Sequence, residues 1–324
     1  MSGFKFKWVM LIAMTALLAG LFRPDGAQAV SIESDNRIVD RAGREIRIIT
    51  PYTRIISLYG AHTENLYSLG LDKQIIGVSR HESYPPAALA KPVFSYHDGP
   101  EKYLAANPDL VLIRPMIDRG YPNLVRQLEA GGITVVSLQP ATVTDMFVYW
   151  NILGRLTGRK AQAAEMIAQF EQAVETARQL TAAIAKRKQV YFEAIHSKMK
   201  TFTPGSMAIY ALETAGGINI AADATAVRQT NIAYYGKEQI LSKAAEIDVY
   251  LAQSGSMNRA SVAMIKNEPG YQVIKAIRQN QIYIIDETIV SRPTLRLLNG
   301  IYEIGSRLYP ETFTPEVLGA LIIK

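Results

Sequence analysis

Apolar and polar positions divide the chain into two stretches of alternating short elements, separated by a long stretch with a different period. Over residues 37–49, Ile38, Ile46 and Ile48 alternate with polar positions around Ala42-Gly43, the pattern of a hairpin. Short β-branched runs at 55–58, 75–78, 110–113 and 135–138 read as buried strands. Helices fall between them: 63–69 is stopped by Gly70, 101–107 precedes Pro108, and 121–130 ends at Gly131-Gly132. The alternation restarts with strands at 190–195, 249–252 and 282–285. Helices are expected there at 207–215, 237–244, 260–267, 270–279 and 293–309. Strands and helices in turn imply mainly parallel sheets with helices on both faces.

In the middle the period lengthens to about 3.6. Residues 145–158 read as one helix and 159–186 as a second, with Ala163, Ile167, Phe170, Val174, Ala177, Leu180 and Ile184 on one face and no Gly or Pro. About 28 residues at 1.5 Å each make a rod of roughly 42 Å, against a mean helix of about 11–12 residues. That length suits a connection between two lobes; a long core helix of a single domain is the competing reading. The expected organisation is α/β, with two Rossmann-like lobes of mainly parallel sheets at 30–158 and 187–324, bridged by the helix 159–186.

The first 29 residues form a targeting signal: Lys5 and Lys7, then an apolar run from Trp8 to Phe22, then the small-x-small site Ala27-Gln28-Ala29. The run is short for a membrane span, so export to the periplasm with cleavage after Ala29 is expected. The chain has no cysteine, which excludes disulfides, thiolate metal sites and a lipidated N-terminal cysteine. A formal charge of +6 over 324 residues is spread without a basic stripe, so no nucleic-acid partner is expected.

Loops at strand C-terminal ends are where such sheets bind ligands. Here they hold Tyr59 and His62, Arg80-His81-Glu82, Tyr96-His97, Arg114, Ser254 and Arg292, with Tyr235 just before the expected helix at 237. Aromatic faces and the fixed fork of Arg suit a large, aryl-rich or oxyanion-bearing ligand. Tyr59, Arg80, His81, Tyr96, Arg114, Tyr235, Ser254 and Arg292 are therefore the candidate ligand contacts. Direct metal binding would need three or four converging side chains. His62, His81, His97 and His196 leave that open, but no paired-His motif is present and no protein metal site is expected.

Several segments resemble one family. Val39-Asp40-Arg41-Ala42-Gly43-Arg44, Arg54-Ile55-Ile56-Ser57-Leu58, Ile76-Gly77-Val78-Ser79, Asn107-Pro108-Asp109-Leu110-Val111, Leu153-Gly154-Arg155-Leu156-Thr157-Gly158, Gly216-Gly217-Ile218-Asn219-Ile220 and Lys237-Glu238-Gln239-Ile240-Leu241 are similar to stretches of helical-backbone periplasmic substrate-binding proteins of ABC importers. That resemblance implies a monomer that holds a metal chelate (ferric siderophore, haem or a cobalamin-type corrinoid) between its lobes, with no resident cofactor. It also implies delivery to a permease dimer in the inner membrane, docking through Glu101 on one lobe and Glu238 on the other. The same fold serving molybdate or a bare metal ion is one alternative, and an exported, bilobed chelatase-like enzyme is another. Against an enzyme, the chain carries no G-x-S-x-G elbow, P-loop, dinucleotide fingerprint or H-E-x-x-H.

Overall fold

Strand-forming segments near the start of the chain close first into a small antiparallel sheet, β1 (Ser31–Ser34), β2 (Arg37–Val39) and β3 (Glu45–Arg47). This computed structural model describes residues 30–227 and 230–321, so the expected signal segment 1–29 lies outside the described residues. Ile38 pairs with Ile46 across the hairpin, and both are buried. The fully buried Asp40 carboxylate accepts from the backbone N–H groups of Ala42, Arg44 and Ser137 and from the Arg44 guanidinium, tying the hairpin to the first lobe.

That lobe follows in alternation: β4 (Ile55–Ser57), α1 (Gly60–Ser68), β5 (Ile75–Ser79), β6 (Val93–Phe94), α2 (Pro100–Ala106), β7 (Leu110–Ile113), α3 (Pro115–Gly120), α4 (Pro122–Ala130) and β8 (Thr134–Ser137). All pairings are parallel, in the order β6-β5-β4-β7-β8. The order reverses between β4 and β7, which opens a crevice at the carboxyl ends of those two strands.

Helix α5 (Val143–Leu156) starts at a capping box in which Thr142 and Asp145 satisfy each other's backbone N–H groups. Helix α6 (Lys160–Ala182) has 23 residues, about 35 Å at the standard rise. It ends four residues before the expected Lys186, because the chain must turn at Ala183 and enter the next strand at Gln189. Phe170 on α6 meets Trp150 of α5 at 5.8 Å.

The second lobe comprises β9 (Gln189–Ile195), β10 (Lys200–Phe202), α7 (Met207–Thr214), β11 (Ile218–Asn219), β12 (Thr225–Ala226), β13 (Ile232–Tyr234), α8 (Lys237–Ser242), β14 (Val249–Ser254), α9 (Val262–Asn267), α10 (Lys275–Arg278), β15 (Ile282–Asp286), α11 (Glu287–Val290), α12 (Leu297–Leu308) and α13 (Pro315–Leu321). β11, β9, β14 and β15 pair in parallel, as expected. β10, β13 and β12 add an antiparallel wing, so this sheet is mixed. The wing strands have two or three residues each, too few to show a period in sequence. The expected helix at 270–279 is a 3-10 turn followed by α10, and the one expected at 293–309 starts at Leu297.

Helix α6 packs against α5 on one side and α7, α12 and α13 on the other. Phe170 also stacks with Tyr210 of α7 at 6.3 Å. One apolar core runs through residues of both sheets and of α5, α6, α7 and α12. Motion of one lobe against the other must therefore shear packed side chains, which restricts it to small displacements.

Candidate binding crevice

At the end of β4, the Ser57 hydroxyl accepts from Thr63 and donates to the Tyr59 carbonyl. This sets Tyr59 in extended backbone just before α1. Because β7 is the neighbour of β4, Arg114 emerges beside it, with its guanidinium 4.5 Å from the Tyr59 ring centre. His62 meets the same ring edge-on at 5.1 Å. Stacking of this kind contributes about 0.5–1 kcal/mol at an exposed site and more where water is excluded. Gly60 is required here: a Cβ on it would lie 2.5 Å from Nη1 of Arg292, an arm of the second lobe.

That arm is held tightly. Glu64 of α1 accepts from Arg292 at 2.7 Å and from Arg296 at 3.0 Å. Asn65 and the Trp150 indole both donate to the Pro293 carbonyl, at 2.9 and 3.3 Å. Arg296 also lies over the Tyr84 ring at 4.4 Å. From the second-lobe wall, Glu287 accepts from the Ser256 hydroxyl at 2.6 Å and fills the space where a Cβ on Gly255 would sit. Burial pushes the Tyr59 phenol above its ordinary range, while Arg114 and Arg292 pull it back and Glu64 and Glu287 push it further. Groups that follow three strands, β4, β7 and β15, thus act on one hydroxyl.

The structure brings together Tyr59, Arg114 and Arg292 of the expected contacts, and places Ser254 at the end of β14, two residues before Ser256. Arg292 differs from expectation in one respect: its guanidinium is committed to Glu64 and is not a free anion receptor. Arg80 and His81 are exposed beyond β5, and Tyr96 groups with His97 and Tyr121 at the end of β6. Tyr235 is a correction. It is buried in the second-lobe core, stacked on Tyr191 at 5.8 Å, with its hydroxyl near the Ile220 carbonyl and Asp223. Its neighbour Tyr234 is the exposed one. Glu64, Glu287, Asn65 and Trp150 were not among the expected site residues. Glu101 and Glu238 are both exposed in the first turns of α2 and α8, and neither forms an ion pair among the described residues. Two surface hollows of about 370 and 270 Å³ lie elsewhere, around Arg44 and around Arg178.

Two of the histidines serve the fold. His62 is fully buried between the Tyr149 hydroxyl at 2.7 Å and the Ile113 carbonyl at 3.1 Å. A carbonyl only accepts, so Nε2 carries the proton and Nδ1 accepts from Tyr149. Burial pushes His62 down to about 3. An unfolded histidine titrates near 6.5, so the unfolded chain takes up the proton first, and stability present at neutral pH is lost as pH falls below that value. From pH 7 to pH 5 the loss from this residue is about 2 kcal/mol. Urea midpoints of the wild type should fall accordingly between those two pH values, and those of His62→Gln should not show that part of the fall. His196 goes the other way: its hydrogen bond to the buried Glu193, at 2.7 Å, raises it. No three His, Asp or Glu side chains among the described residues are placed to hold a metal ion together.

A family model described as periplasmic binding protein matches residues 55–289. The chain is 23% identical over 317 residues to an uncharacterized ABC transporter substrate-binding lipoprotein of Bacillus subtilis, spanning 94% of this chain and 97% of that one. It is 25% identical over 265 residues to the vitamin B12-binding protein of Vibrio cholerae, spanning 80% and 90%. Among solved structures, a possible iron-binding, periplasmic solute-binding protein of Staphylococcus epidermidis superposes with a TM-score of 0.70 at 26% identity, over 80% of this chain and 100% of the other.

Proposed function

The chain belongs to the periplasmic binding protein family, and from that premise we propose that it is the substrate-binding component of an ABC importer that captures a metal chelate between its lobes. The observation that carries this reading is the convergence of Tyr59, Arg114, Arg292 and Glu287 at the strand ends of both lobes. A stacked tyrosine and guanidinium give a flat floor that a tetrapyrrole, corrinoid or aryl-rich siderophore can cover, and the fixed fork of Arg can bond its peripheral oxygens. A chelate brings its own donor set, so the protein's part is to bind its face and its peripheral oxygens. The Vibrio cholerae relative puts a corrinoid first among the candidates, with ferric siderophores and haem beside it.

The proposed place of action is the periplasm, after cleavage following Ala29. The Bacillus subtilis relative is described as a lipoprotein, and this chain is proposed to act as a monomer. No helix among the described residues is long and apolar enough to cross a membrane. Delivery would use Glu101 and Glu238 against the two permease subunits.

Melting of residues 30–324 against a corrinoid, haem, ferric siderophores, molybdate and zinc tests the reading. A chelate at 100 times its Kd adds about 2.7 kcal/mol, so one chelate should raise Tm by a few degrees. A response to zinc alone, or to molybdate alone, would overturn it.

A further inference from the structure

We infer that the crevice selects an uncharged chelate over a polyanionic one. This rests on the chelate reading and narrows it. Three guanidiniums reach the crevice, and three carboxylates stand among them. Arg292 and Arg296 share Glu64, whose side chain is 2% exposed. Arg114 lies on Tyr59, with one N–H directed at the Met116 sulfur at 3.2 Å. Two further carboxylates complete the set. Glu287 stands on the facing wall, fixed by Ser256. Glu82 follows β5, with one oxygen taking the Ser79 hydroxyl and the other buried without a partner. Three cations thus stand with three carboxylates at the crevice.

A polyanion is recognised by an excess of charged donors. Here it would gain little from guanidiniums set among carboxylates and would face Glu287, and like-charge juxtaposition costs several kcal/mol. An uncharged chelate meets no such cost. It can lay a face on Tyr59 and offer amide, hydroxamate or other neutral oxygens to the Arg114 guanidinium beside that ring.

The test is a titration of the full mature chain with three probes: an uncharged ferric trihydroxamate, cyanocobalamin and a triply anionic ferric tris-catecholate, each at low and high salt. One uncharged probe should bind at least ~30-fold more tightly than the tris-catecholate, a difference of about 2 kcal/mol, with little salt dependence. Glu287→Gln should raise tris-catecholate affinity roughly tenfold relative to the affinity for the uncharged probe, whatever it does to both. Tighter binding of the tris-catecholate by the wild type would overturn the inference and leave the chelate reading standing. Binding of none of the three, together with no chelate response in the melting panel, would remove the chelate reading and this inference with it.

Discussion

Replacing Glu64 by alanine is expected to lower the unfolding free energy by about 3–5 kcal/mol. The carboxylate is nearly inaccessible and is the anion for two guanidiniums whose side chains are 14% and 21% exposed. Its removal leaves both cations in a part-buried site without a counter-charge. The cost of that uncompensated burial exceeds whatever the pairs contribute when intact. Glu64→Gln keeps an acceptor and should lose less. Urea unfolding followed by circular dichroism measures both, and a loss under ~1 kcal/mol for alanine would mean that solvent already screens these pairs. The same geometry revises what Arg292→Ala would do. Because Arg292 is bound to Glu64, its loss should weaken the joint between the lobes as well as any ligand contact.

The second large effect is expected in transport. Glu101 and Glu238 are solvent-exposed carboxylates, one on each lobe, without ion-pair partners among the described residues. If each meets arginines on a permease subunit, deleting it leaves those arginines buried and unpaired, a cost of about 2–5 kcal/mol per site. The double variant Glu101→Ala/Glu238→Ala should therefore cut chelate import by at least ~30-fold, which corresponds to about 2 kcal/mol. Its melting temperature and chelate affinity should match the wild type, since neither side chain supports the fold. Normal import by that variant would remove the docking role.

What the sequence made legible follows from how local each cause is. Ile55–Ser57 and Leu110–Ile113 are short runs of mostly aliphatic residues between helical stretches, a length and composition that suit buried parallel strands. Their carboxyl ends then supplied Tyr59 and Arg114. The Glu64–Arg292 pair spans 228 residues, and nothing near either residue announces the other. The run His62-Thr63-Glu64-Asn65 is polar, yet all four are buried: Tyr149, Ile113 and Ser57 of the first half satisfy His62 and Thr63, and Arg292, Arg296 and Pro293 satisfy Glu64 and Asn65. Tyr234 and Tyr235 illustrate the alternation of a strand: adjacent side chains point to opposite faces, and which one is buried depends on the register of β13 with β10.

Whether a chelate is held in the crevice at Tyr59 and Arg114 is read from the chelate-induced rise in Tm of the wild type compared with that of Tyr59→Ala and Arg114→Ala. A rise of a few degrees is expected for the wild type, and it should largely disappear in both variants while their unliganded melting stays close to wild type. An undiminished rise in both variants would place the ligand elsewhere.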